Sequence, residues 1–74
     1  MNLDVDVGNT RVKWRLSHSD GVEYGAFARG EEPVFPDTPP HQVRVSSVAG
    51  SDYERSLSAL IDETWGLQPW FART

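Results

Sequence analysis

The stretch that decides the fold is Asn2-Leu3-Asp4-Val5-Asp6-Val7-Gly8-Asn9-Thr10-Arg11-Val12-Lys13-Trp14-Arg15-Leu16, in which apolar and polar residues alternate on both sides of a Gly-Asn pair. Strict alternation is typical of a strand with one buried face. The apolar members are Leu3, Val5 and Val7 before the pair, and Val12, Trp14 and Leu16 after it. Because glycine readily adopts the positive φ that a type II′ turn requires at its first central position, the sequence predicts a hairpin with a two-residue turn at Gly8-Asn9.

A two-residue turn also predicts the register of this hairpin. Val7 then lies opposite Thr10, and the pairs further down the stem are Asp6 with Arg11, Val5 with Val12, Asp4 with Lys13, and Leu3 with Trp14. One face becomes apolar, and the other carries pairs of opposite charge that contribute about 0.2–1 kcal/mol each.

The residues after the hairpin predict a third strand and then a loop. Residues 22–29 alternate, with one side formed by Val22, Tyr24, Ala26 and Ala28, which completes a three-strand antiparallel meander. Residues 30–41 hold four of the five prolines and are predicted to form an exposed, stiff loop, because proline disfavours both helices and central strands.

The second half predicts a buried strand, a helix and a further short strand. The strand is marked by Val43, Val45 and Val48. Ser51 and Glu54 have the spacing of a capping box that starts a helix, and Gly66 is placed to end it. The apolar stripe of the helix comprises Tyr53, Leu57, Leu60, Ile61 and Trp65, and residues 67–71 are a weaker candidate for a strand. Together these elements predict an α/β fold in a single partial domain over residues 1–74.

Length, composition and charge exclude several classes of protein. With 74 residues, 38% hydrophobic residues and 24% charged residues, the chain is globular in composition but has room for only one small domain. The absence of cysteine argues against a disulfide-rich secreted scaffold. A net charge of −4 argues against a nucleic-acid partner, and neither a signal peptide nor a membrane-spanning segment is evident, so we expect a cytoplasmic protein.

The hairpin turn is the segment most suited to chemistry. A glycine turn lets backbone N–H groups approach a phosphate, and Asn9 and Thr10 add side-chain donors. Asp6 could hold a hydrated Mg²⁺ through water, and Lys13 could neutralise phosphate charge. The alternative is an ordinary turn with cross-strand ion pairs on a solvated face. Ser46 and Ser47, at the end of the later strand, could equally line a cleft or permit tight packing.

The residues Asp6-Val7-Gly8-Asn9-Thr10-Arg11-Val12-Lys13 fit the form D-x-G-N-T-x-x-K and resemble the amino-terminal phosphate-binding hairpin of the type III pantothenate kinases, a family that includes the Bvg accessory factors. Residues 44–50, RVSSVAG, resemble the V-S-S-V segment that ends the next core strand in that family. The resemblance covers most of the chain. It implies the first part of an acetate and sugar kinase, Hsc70 and actin (ribonuclease H-like) domain.

The resemblance also implies a function. The parent protein would be a kinase that phosphorylates pantothenate with ATP in coenzyme A biosynthesis, with Mg²⁺, a monovalent cation (K⁺ or NH₄⁺) and a homodimeric assembly. The residues of this chain that match the ATP phosphate segment are Asp6, Gly8, Asn9, Thr10, Arg11 and Lys13. Asp6 would be near the metal.

Family members are several times longer than this chain, and their catalytic base and pantothenate pocket belong to sequence beyond Thr74. We therefore expect no catalytic residue within these residues and no activity of the 74-residue chain alone. The proline-rich loop stands where the family would have helical structure. Two alternatives stay open: a non-catalytic binding or regulatory module, and another kinase or ATPase of the same superfamily.

Overall fold

A computed structural model of the chain, which describes residues 1–72, contains a five-stranded sheet and one helix. The elements in chain order are β1 (Asn2–Val7), β2 (Arg11–His18), β3 (Gly21–Ala28), β4 (Gln42–Ser47), α1 (Ser51–Trp65) and β5 (Trp70–Ala72). The strand order is β3-β2-β1-β4-β5, with antiparallel pairing from β3 to β1 and parallel pairing from β1 to β5. The predicted α/β class is confirmed.

The core lies on one face of the sheet. The alternation in β1, β2 and β4 sends every second side chain to this inner face, where Leu57 and Ile61 of α1 pack. The sheet residues of the core are Leu3, Val5, Val7, Val12, Trp14, Leu16, Phe27, Val43 and Val45, none more than 9% exposed. The charged side chains of the same strands lie on the opposite, outer face.

The proline-rich loop contains no regular secondary structure, as predicted, but it is tied to the core. The Trp14 indole N–H donates a hydrogen bond of 2.7 Å to the carbonyl of Val34. The Phe35 ring packs edge-on against Phe27 and Trp65, at centroid distances of 5.3 and 5.7 Å. Parts of the loop therefore cover the core beside α1.

The predicted register of the hairpin is wrong by two residues. Val7 lies opposite Val12 rather than Thr10, and the stem pairs Asp6 with Lys13 and Leu3 with Leu16. The N–H of Gly8 donates to the carbonyl of Arg11 at 2.8 Å, so the central turn residues are Asn9 and Thr10. Gly8 is not among the glycines with positive φ, which excludes the predicted type II′ turn at Gly8-Asn9.

The predictions for β3 and β4 need two corrections. The residue of β3 that enters the core is Phe27, which is 5% exposed, whereas Val22 and Tyr24 are 47% and 74% exposed on the outer face. β4 ends at Ser47, and Val48 is 70% exposed rather than buried. The main chain of Val48 still donates a hydrogen bond of 3.0 Å to the carbonyl of Val7, which ties the end of β4 to β1.

The start of α1 also differs from the prediction. Gly50 is the N-cap residue and has no side chain to cap the helix, so Ser51 does not occupy the N-cap position that the predicted capping box requires. The end is as predicted, because Gly66 adopts the left-handed conformation at φ 67° and its N–H donates to the Asp62 carbonyl at 2.7 Å.

β5 begins at Trp70 rather than Leu67, directly after Pro69. The last two residues of the predicted domain, Arg73 and Thr74, lie outside the described range. Within residues 1–72, no helix combines the length and the apolar character that a bilayer crossing requires.

Candidate functional site

The hairpin turn brings the six predicted site residues together. They line one shallow depression of about 240 Å³ at the tip of the hairpin: Asp6, Gly8, Asn9, Thr10, Arg11 and Lys13. Asp6 and Lys13 are direct cross-strand partners in the corrected register, so their side chains share the outer face. The two-residue shift therefore moves Lys13 opposite Asp6, where the predicted register had placed Arg11.

The side chains of Asp6 and Lys13 do not neutralise each other. Within residues 1–72, the ion pair that forms is Arg15 with Asp4, at 3.1 Å on the exposed face. Asp6 and Lys13 are both exposed, and their pair lies two residues closer to the hairpin tip along each strand. A carboxylate and an ammonium without an ion-pair partner in the described part of the chain are available to a charged ligand in the depression.

Gly8 is required by a close approach within the turn. A Cβ built on Gly8 would lie 3.3 Å from the carbonyl oxygen of Arg11, which is tighter than ordinary contact. Gly8 and Arg11 are the residue pair that closes the hairpin. Their close approach produces both the hydrogen bond from the Gly8 N–H to the Arg11 carbonyl and this tight contact. The glycine thus serves the turn geometry rather than a positive φ.

Arg29 holds the turn without lining the depression, and the sequence did not indicate this role. Its guanidinium donates to the carbonyl oxygens of Gly8 at 3.3 Å and Asn9 at 2.9 Å, and its main-chain N–H donates to Thr10 at 2.9 Å. The guanidinium also lies 4.5 Å from the centre of the Tyr53 ring on α1. Burial raises the pKa of the Tyr53 phenol, and the nearby positive charge of Arg29 partly opposes that rise.

Ser46 and Ser47 have different surroundings, which separates the two roles that the sequence left open. The Ser47 hydroxyl accepts a hydrogen bond of 3.0 Å from the Ala49 N–H, so it stabilises the turn between β4 and α1. Ser46 lies opposite Asp6 across β1 and β4. It lines a second, broader depression of about 470 Å³ on the outer face, which Asp6 and Lys13 also border.

The side chains at the hairpin tip suit a metal ion that binds together with a phosphate ligand better than a metal ion that the protein alone would hold. Among residues 1–72, no three His, Cys, Asp or Glu side chains converge as a metal-binding group. Asp6 alone offers a carboxylate at the depression. Mg²⁺ commonly binds through one or two carboxylates, water and substrate phosphates, and a single exposed carboxylate is compatible with that arrangement.

Comparison with curated proteins gives a consistent set of relatives. The chain is 38% identical over 71 residues to a type III pantothenate kinase of Burkholderia ambifaria, an alignment that includes 86% of this chain and 27% of that protein. It is 41% identical over 76 residues to one of Saccharophagus degradans, which includes 99% of this chain and 29% of that protein. No family model matches the chain.

The similarity covers the amino-terminal part of these kinases, and the chain spans less than a third of the length of the curated relatives it matches. Identities of 36–41% over most of the chain confirm the resemblance that the sequence motifs indicated. The chain is homologous to the amino-terminal part of type III pantothenate kinases.

Proposed function

We propose that this chain is the amino-terminal ATP phosphate-binding segment of a type III pantothenate kinase, a phosphotransferase that forms ADP and 4′-phosphopantothenate from ATP and pantothenate. The observation that carries the proposal is the placement of all six motif residues around one depression at the hairpin tip. The homology supports the kinase, and the tip supplies the donors that a phosphate requires.

The strand order supports the superfamily assignment. The three antiparallel strands come first, and the chain then crosses to β4 and α1 on the other side of β1. This is the order expected for the first part of an acetate and sugar kinase, Hsc70 and actin domain. In the complete protein, we expect a second domain to close on the same nucleotide.

Each residue of the tip has a separate proposed role. The N–H groups of Asn9 and Thr10 and their side chains donate to phosphate oxygens, as successive main-chain amides do in anion-binding turns. Lys13 and Arg11 supply positive charge, and charge-assisted hydrogen bonds of this kind are short and strong. Asp6 holds the hydrated Mg²⁺ that accompanies ATP. Phosphoryl transfer depends chiefly on such positioning and charge neutralisation.

Several parts of the proposal rest on the homology alone. The pantothenate site, the catalytic base, the monovalent cation and the homodimer belong to the complete kinase, and a cytoplasmic location stays a prediction. We expect the 74-residue chain by itself to lack turnover. A purified chain that formed product from ATP and pantothenate would contradict this expectation.

Nucleotide binding tests the proposal directly. We expect millimolar Mg-ATP to shift the backbone amide resonances of residues 8–13 in ¹H–¹⁵N spectra, with little change in α1. Lys13→Ala and Asp6→Asn should each raise the dissociation constant about tenfold, as expected for a lost charge-assisted contact. Matched controls are Arg55→Ala on α1 and Asp20→Asn in the β2–β3 turn, which change the same charges at exposed residues that do not line the depression.

The outcome distinguishes the alternatives. Shifts confined to the tip that disappear in both site variants support a nucleotide segment. An unchanged spectrum at millimolar Mg-ATP would favour the binding or regulatory module. Equal weakening by Arg55→Ala and Lys13→Ala would show only nonspecific attraction of ATP to positive charge.

A further inference from the structure

Arg29 contacts three consecutive carbonyl groups of the hairpin turn. Its guanidinium nitrogen Nη1 donates to Gly8 at 3.3 Å and to Asn9 at 2.9 Å. Its main-chain N–H donates to the carbonyl of Thr10 at 2.9 Å. Through these contacts, one residue at the end of β3 holds the whole turn between β1 and β2.

These contacts determine where the turn's N–H groups point. A trans peptide unit is planar, so its C=O and N–H point in opposite directions. Because the carbonyls of Gly8 and Asn9 face Arg29, the N–H groups of the same two peptide units, which belong to Asn9 and Thr10, face away from it. Neither N–H has a hydrogen-bond acceptor within residues 1–72.

The depression borders the turn residues whose N–H groups face away from Arg29. Its lining includes Gly8, Asn9 and Thr10 but not Arg29, so the guanidinium holds the turn without bordering the depression. The guanidinium is itself held in place by α1, since its carbon Cζ lies 4.5 Å from the Tyr53 ring centre. A cation over an aromatic face is attracted electrostatically by the electron-rich ring, so Tyr53 helps to fix the guanidinium.

We infer that Arg29 is a positioning residue that orients the Gly8–Asn9 and Asn9–Thr10 peptide units so that their N–H groups are presented to phosphate oxygens. The inference rests on the proposed function for the identity of the ligand, but its geometric part concerns the free protein. In the inferred arrangement, the phosphate contacts the turn and not Arg29. It acts through the turn, and it links the turn to α1 through Tyr53.

Two substitutions separate positioning from charge. Arg29→Gln removes the charge and the fork of donors, while Arg29→Lys keeps the charge but offers a single ammonium group in place of a planar guanidinium. We expect the dissociation constant for Mg-ATP to rise about tenfold in Arg29→Gln and about fivefold in Arg29→Lys. Arg15→Gln is the matched control, because it removes the same charge from the outer face of the stem, where Arg15 is 53% exposed.

The free protein provides the second measurement. In ¹H–¹⁵N spectra without nucleotide, we expect both Arg29 variants to shift the amide resonances of Asn9 and Thr10 while the resonances of β4 and α1 residues distant from Tyr53 stay in place. Arg15→Gln should leave the turn resonances unchanged. An unfolded variant would be recognised because all its amide resonances lose their dispersion. If Arg29→Gln unfolds, the milder Arg29→Lys decides the result.

The two readouts keep the two hypotheses apart. If the wild-type chain does not bind Mg-ATP, the proposed function is wrong, and the phosphate part of this inference is wrong with it. Shifted turn resonances in the Arg29 variants without nucleotide would still show that Arg29 orients the peptide units. If the wild type binds and Arg29→Lys binds equally well with an unchanged turn, Arg29 contributes only charge and the positioning role is wrong.

Discussion

The two faces of the same strands have different roles. On the inner face, the side chains of β1 and β2 are almost completely buried beneath α1 and the proline-rich loop. On the outer face, their immediate neighbours are charged and exposed, and those nearest the turn form the candidate site. Period-two alternation therefore lets a 15-residue segment specify the core and present a polar site at the same time.

Two neighbouring residues of β2 test this division of roles between the faces. Leu16 is 1% exposed on the inner face, whereas the Arg15 side chain is 53% exposed on the outer face. Leu16→Ala should lower the free energy of unfolding by about 3 kcal/mol, because it removes buried methyl groups and leaves a cavity. Arg15→Ala should lower it by less than about 1 kcal/mol, the usual range for an exposed ion pair.

Urea denaturation followed by far-UV circular dichroism measures both changes. A domain of this size has little stability to spare, so Leu16→Ala should move the midpoint strongly towards low urea. Similar losses in the two variants would mean that the outer face stabilises the fold as much as the inner face does, which would contradict the division of roles.

The second prediction concerns Trp14, the inner-face residue that bonds to the proline-rich loop. Gly25 lies opposite Trp14 in the β2–β3 ladder, and a Cβ at Gly25 would clash with the indole. Gly25→Ala should therefore destabilise the protein by about 1–3 kcal/mol through overpacking. The displaced indole should also lose its hydrogen bond to the Val34 carbonyl, which lowers the hydrogen-exchange protection of the loop that Trp14 anchors.

Gly30→Ala is the matched control for this substitution. Nothing lies within 4 Å of a Cβ at Gly30, and its φ is not positive, so the free energy of unfolding should change by no more than about 0.5 kcal/mol. If Gly25→Ala were as mild as Gly30→Ala, the indole would have room to move, and Trp14 would not fix the loop.

The faces of the hairpin could be predicted from its sequence, but its register could not. The apolar side chains of both strands share one face in either of two registers that differ by two residues: Val5 lies opposite Trp14 in the structure and opposite Val12 in the predicted register. Opposite charges also face each other in both registers. A slip of two residues keeps every side chain on its face, so hydrophobic pattern and charge do not distinguish the registers. The conformation of the turn decides the register. It depends on the close approach of Gly8 to the Arg11 carbonyl, which only the three-dimensional structure shows.

The same limit applies to the candidate site. The motif residues from Asp6 to Lys13 are contiguous, so their grouping at one turn could be predicted from the sequence. Arg29 could not be found in this way, because its contacts span 19 to 21 positions of the chain and arise only when β3 pairs with β2. The hydroxyl of Ser47, rather than that of Ser51, bonds the main chain before α1, since Gly50 already occupies the cap position.

The smallest effect is expected at Tyr53, where α1 meets the residue that supports the turn. Burial raises the pKa of this phenol above 10.0, and Arg29 opposes the rise only in part, so the folded state holds the proton more tightly than the unfolded state. The corresponding stability is fully present below about pH 10 and is lost as pH rises through the raised pKa. Urea midpoints should therefore fall more steeply above pH 10 for the wild type than for Tyr53→Phe. Tyr24→Phe, which removes a phenol that is 74% exposed, should keep the wild-type fall. Identical pH profiles for wild type and Tyr53→Phe would mean that the phenol is not effectively buried beside Arg29.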